Sequence, residues 1–369
     1  MADKHRVGVI GATGKGNYGH GIDAVWKDID RAEVVAVADE HDGGRGEAKE
    51  RTGAKTAYAD YRKMLDEESL DIVAVGPRWL DQHRDMCVAA AEHGCHIYME
   101  KPFCQDLTQA DEIVSACEMR HVKLAIAHQT RWSPVLDVVQ REIRNGNMGD
   151  VLEFRARGKE DARRGGGEDL WVLGSHVLDL MRLFGGDPET CYATVYNDGQ
   201  LATADDVIDG NEGIGPLTGD AINGTYSLGN GVKGYFGSHR GAAGSPSRFG
   251  LQIYGAGGVI EVLTGHPSPC HVLVDSSWSP GRSGKEWVKI TSAGVGEPEP
   301  LPASGLHGGN VLAVTDLIDC IENPDRQPRC SMYDARWTVE MIAGIFESHR
   351  VRGPVSLPLE NRQNPLTML

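Results

Sequence analysis

Apolar residues in the first third of the chain fall in short runs, separated by stretches whose apolar positions repeat at helical spacing. The runs His5–Ile10, Val34–Ala38, Leu70–Val75, Ile97–Met99 and Leu124–Ala127 predict strands. His83–His93 predicts a helix ending at Gly94, a residue suited to a left-handed C-cap. Thr108-Gln-Ala-Asp111 reads as a helix start, with Ile113, Val114, Ala116 and Cys117 on the apolar side. Repeated strand–helix units predict a parallel sheet with helices on both faces.

Past residue 130 the pattern changes. A helix over Val135–Arg144 leads through Gly146-Asn-Met-Gly149 into a strand at Val151–Ala156. Glycine-punctuated β runs follow at Cys191–Tyr196, Ala221–Leu228, Val232–Ser238, Leu251–Tyr254, Val259–Val262 and His271–Val274. Gly229-Asn-Gly231 and Gly255-Ala-Gly-Gly258 read as hairpin turns of an antiparallel sheet. Asn197–Gly219 reads as a long acidic, glycine-rich loop, and Glu297–Pro302 as a linker. Helices are expected near Asn310–Ile321 and Asp334–Arg350. The expected division is 1–128, 129–350 and a tail at 351–369.

The chain has 369 residues and a net charge of −16, with no basic block, so nucleic acid is not an expected partner. No run approaches membrane-spanning length and no apolar leader opens the sequence, so a cytoplasmic protein is expected. Eight cysteines lack any C-x-x-C pair, which favours free thiols. His93-Gly-Cys-His96 has no second ligand pair nearby, and no metal is expected.

The chemistry concentrates at strand ends. The first strand runs into Gly11-Ala-Thr-Gly-Lys-Gly-Asn-Tyr-Gly19. Phosphate groups bind backbone N–H groups at a helix N-terminus where no side chain intrudes, and this loop supplies the glycines. Gly11, Thr13, Gly14, Lys15, Gly16 and Asn17 are the candidate contacts. The second strand ends in Asp39, about 20 residues after Gly19, where a carboxylate accepts from an adenosine ribose. A carboxylate there repels a 2′-phosphate and favours NAD over NADP, with Arg45 as a possible counterweight. Gly76-Pro77 and Glu100-Lys101-Pro102 stand at further strand ends, where ligands of such sheets bind.

These residues, with His83, Arg131-Trp-Ser-Pro134, Gly174-Ser-His-Val-Leu-Asp179 and the Pro354–Pro358 tail, give the chain a resemblance to the Gfo/Idh/MocA family of NAD(P)-dependent oxidoreductases over essentially its whole length. The resemblance implies an α/β Rossmann domain followed by an α+β domain with an open-faced, mainly antiparallel sheet. It implies an active site between the two domains and a homo-oligomer, dimer or tetramer. NAD is the implied cofactor, with Pro77, His83, Glu100 and Lys101 among the residues around it. Lys101 would contact the reacting hydroxyl and His176 would serve as acid/base. Asp179, one helical turn from His176, is a candidate to orient it.

One position departs from the pattern. Inositol dehydrogenase-type members have an aspartate four residues before this histidine, and here Val172 stands there. Asp169 can replace it only if the segment is not a regular helix. Arg131, Arg163, Arg164, Trp171 and His239 are candidate substrate contacts. The leading expectation is an NAD-dependent dehydrogenase acting on a polyhydroxylated small molecule: a sugar, sugar derivative or cyclitol. The alternatives are an NAD-recycling enzyme that cleaves glycosides and a non-catalytic NAD-binding sensor.

Overall fold

The computed structural model describes residues 4–369, which form two compact units. Of the described residues, the first comprises those up to Gln129 with Asn211–Gly215 and Leu306–Arg336, and the second the remainder. The units are not contiguous segments of the chain. Residues 306–336, expected in the second domain, belong to the first.

The first unit is built on a six-stranded parallel sheet of order β3-β2-β1-β4-β5-β6. Its strands are β1 (His5–Ile10), β2 (Ala32–Ala38), β3 (Thr56–Tyr58), β4 (Ile72–Val75), β5 (His96–Met99) and β6 (Leu124–Ile126). All four residues of β4 are buried, as expected of a central parallel strand. Helices α1 (Asp42–Thr52), α2 (Tyr61–Glu67), α3 (His83–Glu92) and α4 (Leu107–Arg120) complete the alternation. The N-cap of α4 is Asp106 rather than Thr108: its carboxylate accepts from Gln109 N at 2.9 Å. The strand order reverses between β1 and β4, which makes their carboxyl ends the expected ligand crevice.

The second unit carries a mixed sheet, antiparallel except where β7 (Val151–Arg157) runs parallel to Lys233–His239. The two hairpin turns form as expected, joining Ala221–Ser227 to Lys233–His239 and Gly250–Gly255 to Gly258–Leu263. Strand β8 (Thr190–Asn197) lies beside Ala221–Ser227. One face of β7 places Phe154 and Ala156 in the core, while Glu153, Arg155 and Arg157 alternate onto the opposite face. The 197–219 stretch is not a plain loop: Gln200–Leu201 pairs with β8, and Ile208–Gly210 and Gly215–Leu217 form a two-stranded ribbon.

Candidate active site

In the first unit the glycine loop closes on itself. Ala12 and Asn17 bond reciprocally through their backbones at 3.0 Å, and Lys15 N also donates to Ala12 O. Asn17 adopts a left-handed φ of 54°, and its side chain accepts from Gly14 N at 3.0 Å. No α-helix follows. Turns lead to a single 3-10 helix at Val25–Asp28 before β2 begins. The expected helix N-terminus is therefore replaced by a tight loop that uses several of its own N–H groups.

Two glycines are required by that path. Gly16 has φ +85° and a Cβ there would lie 2.6 Å from Arg78 N. Gly19 has φ +62°, and a Cβ would lie 2.4 Å from the Glu100 carboxylate and 2.6 Å from Gly76 O. The loop is thus packed directly against the carboxyl ends of β4 and β5.

Asp39 is buried at the end of β2. Its carboxylate accepts from Thr13 Oγ1 at 2.7 Å, Thr13 N at 3.1 Å and His41 N at 3.0 Å. It pins the loop to the strand end while forming part of the wall of a cavity of about 300 Å³. That cavity is also lined by Gly11, Thr13, Lys15, Glu40, His41, Asp60 and Tyr61. Arg45 is turned away into bonds with the carbonyl of Asp39 and the carboxylate of Asp42, and it does not line the cavity. The nucleoside half of NAD fits this wall, because a carboxylate collar of Asp39, Glu40 and Asp60 suits ribose hydroxyls and repels a 2′-phosphate. Lys15 is half exposed at the rim of the cavity, 3.6 Å from Asp81.

The other candidate residues of this unit sit at the ends of β4 and β5. His83 and Glu100, expected among the cofactor contacts, are both fully buried and turned to protein partners. The ring nitrogens of His83 lie 2.8 Å from Pro102 O and 2.7 Å from Pro77 O, so it braces the two strand ends from behind. Glu100 Oε2 accepts from His20 N at 2.9 Å and pairs with His20 Nδ1 at 3.1 Å, while Oε1 accepts from Lys101 N. Burial pushes the Glu100 carboxyl up, but the hydrogen bonds and charge of His20 and the charge of Lys101 reverse this and hold it below its ordinary value. Lys101 itself is only 5% exposed at the tip of β5. His20 escaped the sequence reading because its partner lies 80 residues away.

In the second unit, His176 is the second residue of the helix Ser175–Gly185, which is preceded by a π-helical turn at Leu170–Gly174. Such turns widen the helix by one residue and recur at functional sites. Asp169, the candidate stand-in for an aspartate at position 172, is committed to other groups. It is fully buried and accepts from Ser238 Oγ at 2.5 Å and from the backbone N–H groups of Glu160 and Lys159. Burial raises its carboxyl above the ordinary value, and those bonds only partly compensate. Asp179 pairs with Arg131 at 2.7 Å, both side chains being buried. Arg131 is thereby an internal ion-pair partner rather than an open substrate contact. Val172 and Trp171 are also buried, Arg164 pairs with Glu168 at 3.3 Å, Arg163 is exposed, and His239 is half-buried beside Asn223.

A parallel sheet of this order, with a carboxylate-walled cavity at its ends, defines a dinucleotide-binding unit; a mixed open sheet forms the other unit. Family models match both parts: "Oxidoreductase family, NAD-binding Rossmann fold" over residues 5–128 and "GFO/IDH/MocA C-terminal domain" over residues 137–261. The chain belongs to the Gfo/Idh/MocA family.

Among its relatives, D-apiose dehydrogenase of Paraburkholderia graminis is 32% identical over 171 residues, 44% of this chain and 45% of that protein. Myo-inositol 2-dehydrogenase of Thermotoga maritima is 26% identical over 55% of this chain and 62% of that protein. The first of these matches thus spans about half the relative's length. A levoglucosan dehydrogenase solved with NADH and levoglucosan shares the fold with a TM-score of 0.76 at 21% identity, covering 97% of this chain and 100% of the other.

Proposed function

We propose that the protein is an NAD-dependent dehydrogenase oxidising a secondary alcohol of a sugar, sugar derivative or cyclitol. The observation that carries this reading is the row of strand ends on one sheet: a carboxylate-walled nucleoside cavity at β1–β3 and the buried Lys101 at β5. Family membership and relatives named for apiose, xylose, levoglucosan and inositol oxidation support the substrate class.

The proposed roles follow from the residues. Asp39 and Glu40 hold the adenosine ribose and discriminate against a 2′-phosphate. Lys15 neutralises the pyrophosphate. When bound, the nicotinamide supplies the acceptor for the hydrogen that leaves the carbinol carbon with its electron pair. Lys101 donates to the substrate oxygen and stabilises the charge that grows there as its proton leaves. Its backbone is fixed by Glu100 and its strand end is braced by His83. His176 is proposed as a substrate-facing acid/base group of the second unit. Assembly as a homo-oligomer through the open sheet face and a cytoplasmic location belong to the same reading. Buried free thiols at all eight cysteines suit that location, and among the described residues no helix is long and apolar enough to cross a membrane.

The test is reduced-nicotinamide absorbance with D-apiose, D-xylose, levoglucosan and myo-inositol, with NAD+ or NADP+, for wild type and Lys101→Met. The reading expects NAD+-preferring turnover of at least one probe and a loss of about 10²–10³-fold in kcat for Lys101→Met. NAD+ binding with no turnover of any probe would contradict it and favour the cofactor-recycling enzyme or the sensor.

A further inference from the structure

The glycine loop by itself offers a phosphate few donors. On sheets of this kind a phosphate ordinarily rests on the free N–H groups and positive end of a following helix. Here turns and one short 3-10 helix follow instead. The N–H groups of Ala12, Gly14, Lys15, Asn17 and Gly19 all bond within the loop. Gly11 N donates to Ala38 O, and Thr13 N to the Asp39 carboxylate. From Gly11 to Gly19, only Gly16 and Tyr18 keep an N–H that bonds to no described residue. The charge of Lys15 is offset by Asp81, 3.6 Å away.

Arg78 stands against this gap. It follows Gly76-Pro77 at the carboxyl end of β4, and a Cβ built on Gly16 would come within 2.6 Å of Arg78 N and 2.7 Å of Arg78 Cβ. The side chain is thus rooted on Gly16, and every rotamer keeps its guanidinium within one side-chain length of the free Gly16 N–H. Its Nε is buried with no hydrogen-bond partner, and the partly exposed guanidinium forms no ion pair with any described residue. In a chain of net charge −16, an arginine with no carboxylate is a donor set left open. A buried N–H without an acceptor costs free energy, so its retention needs an explanation, and an acceptor that arrives with a ligand supplies one. The planar guanidinium fork matches phosphate oxygens. Arg78 also lies where the strand order reverses between β1 and β4, the point over which a dinucleotide crosses such a sheet.

We propose that Arg78 is the principal pyrophosphate-binding residue of this protein, doing from the end of β4 what a helix N-terminus does elsewhere; the proposal rests on the NAD-binding part of the reading above. The guanidinium supplies charge-assisted donors to the diphosphate oxygens, the Gly16 N–H beside it adds a neutral one, and Lys15 acts from the rim as a screened point charge. The group recognised is a diphosphate ester. ADP-ribose therefore engages Arg78 as NAD+ does, and adenosine, which carries no phosphate, does not.

The test titrates NAD+, ADP-ribose and adenosine into wild type, Arg78→Met and Arg78→Lys at low and high salt. Methionine keeps an unbranched stem and removes every donor; lysine keeps the charge and loses the fork. The expected result is NAD+ and ADP-ribose binding about 10–100-fold weaker in Arg78→Met, with adenosine within about twofold of wild type and Arg78→Lys in between. The loss is greater at low salt than at high. Without ligand, the Tm of Arg78→Met matches or exceeds wild type, because no partner is lost with the guanidinium. NAD+ affinity near wild type in Arg78→Met would overturn the proposal. Adenosine weakening in step with NAD+ would also overturn it, and would make Arg78 a support of the loop. If Arg78→Met does not fold, Arg78→Lys decides by the same comparison of NAD+ with adenosine. Failure of the dehydrogenase reading shows separately, as wild type that binds NAD+ without turning over any probe, and the Arg78 comparison stands in that case. Wild type that binds no NAD+ would overturn both.

Discussion

Histidine and carboxylate meet differently in the two units. In the first, Glu100 is buried and spends its oxygens on His20 and on the N–H of Lys101. In the second, the acids nearest His176 in sequence serve the architecture: Asp179 holds Arg131, and Asp169 ties Ser238 to the 158–160 backbone. Carboxylates therefore do different work according to what else competes for them. A carboxylate that satisfies buried backbone N–H groups or a buried guanidinium is not free to tune a histidine. One that faces a half-exposed ring is.

That contrast can be broken by removing the second unit's structural acid. Asp179→Ala leaves Arg131 buried without its ion-pair partner and is expected to cost about 3–5 kcal/mol of unfolding free energy in denaturant titration. A loss below 1 kcal/mol would mean that Asp179 is not structural. The first unit has its own strict packing point at Gly19. Gly19→Ala meets the Glu100 carboxylate and Gly76 O at positive φ and is expected to cost about 1–3 kcal/mol, with NAD+ affinity falling as the loop lifts.

His96 sharpens the contrast, since it is a half-buried histidine whose Nδ1 accepts from a backbone N–H rather than pairing with a carboxylate. Desolvation lowers it from 6.5 to about 4, and its Nδ1 accepts from Lys123 N. Because the folded value is depressed, the unfolded chain binds the proton first as pH drops. Its stability contribution is complete above pH 6.5 and is lost progressively toward pH 4. His96→Asn, which keeps an acceptor for Lys123 N, should flatten the decline in Tm over that window; an unchanged decline would assign it to other groups. The smallest expected effect is at the rim. Lys15→Ala should weaken NAD+ about threefold at low salt and less at high salt, because an exposed ammonium is screened. An effect independent of salt would contradict a charge role.

The sheet of the first unit was legible because β1, β4 and β5 are short apolar runs, each ending in a residue of distinct chemistry: Gly11, Gly76 and Glu100. Helix α1 was not, since Asp42-Gly-Gly-Arg-Gly46 carries almost no apolar periodicity and is held by its neighbours rather than by its own pattern. The closed shape of the glycine loop depends on the left-handed Asn17 and on contacts with Arg78 and Glu100, none of which a glycine count reveals. The π-turn before His176 leaves no mark in residue order either, because the chain around Val172 reads as ordinary helix. Lys101, Asp39 and His176 could be singled out from local motifs. The pairing of Glu100 with His20 spans 80 residues and became visible only in three dimensions.

The most direct measurement is kcat for wild type and Lys101→Met side by side, on whichever of the four probes wild type turns over, with NAD+ saturating. The account predicts a loss of about 10²–10³-fold in Lys101→Met with NAD+ still bound. Near-wild-type kcat in Lys101→Met would contradict it and remove Lys101 from the reacting centre.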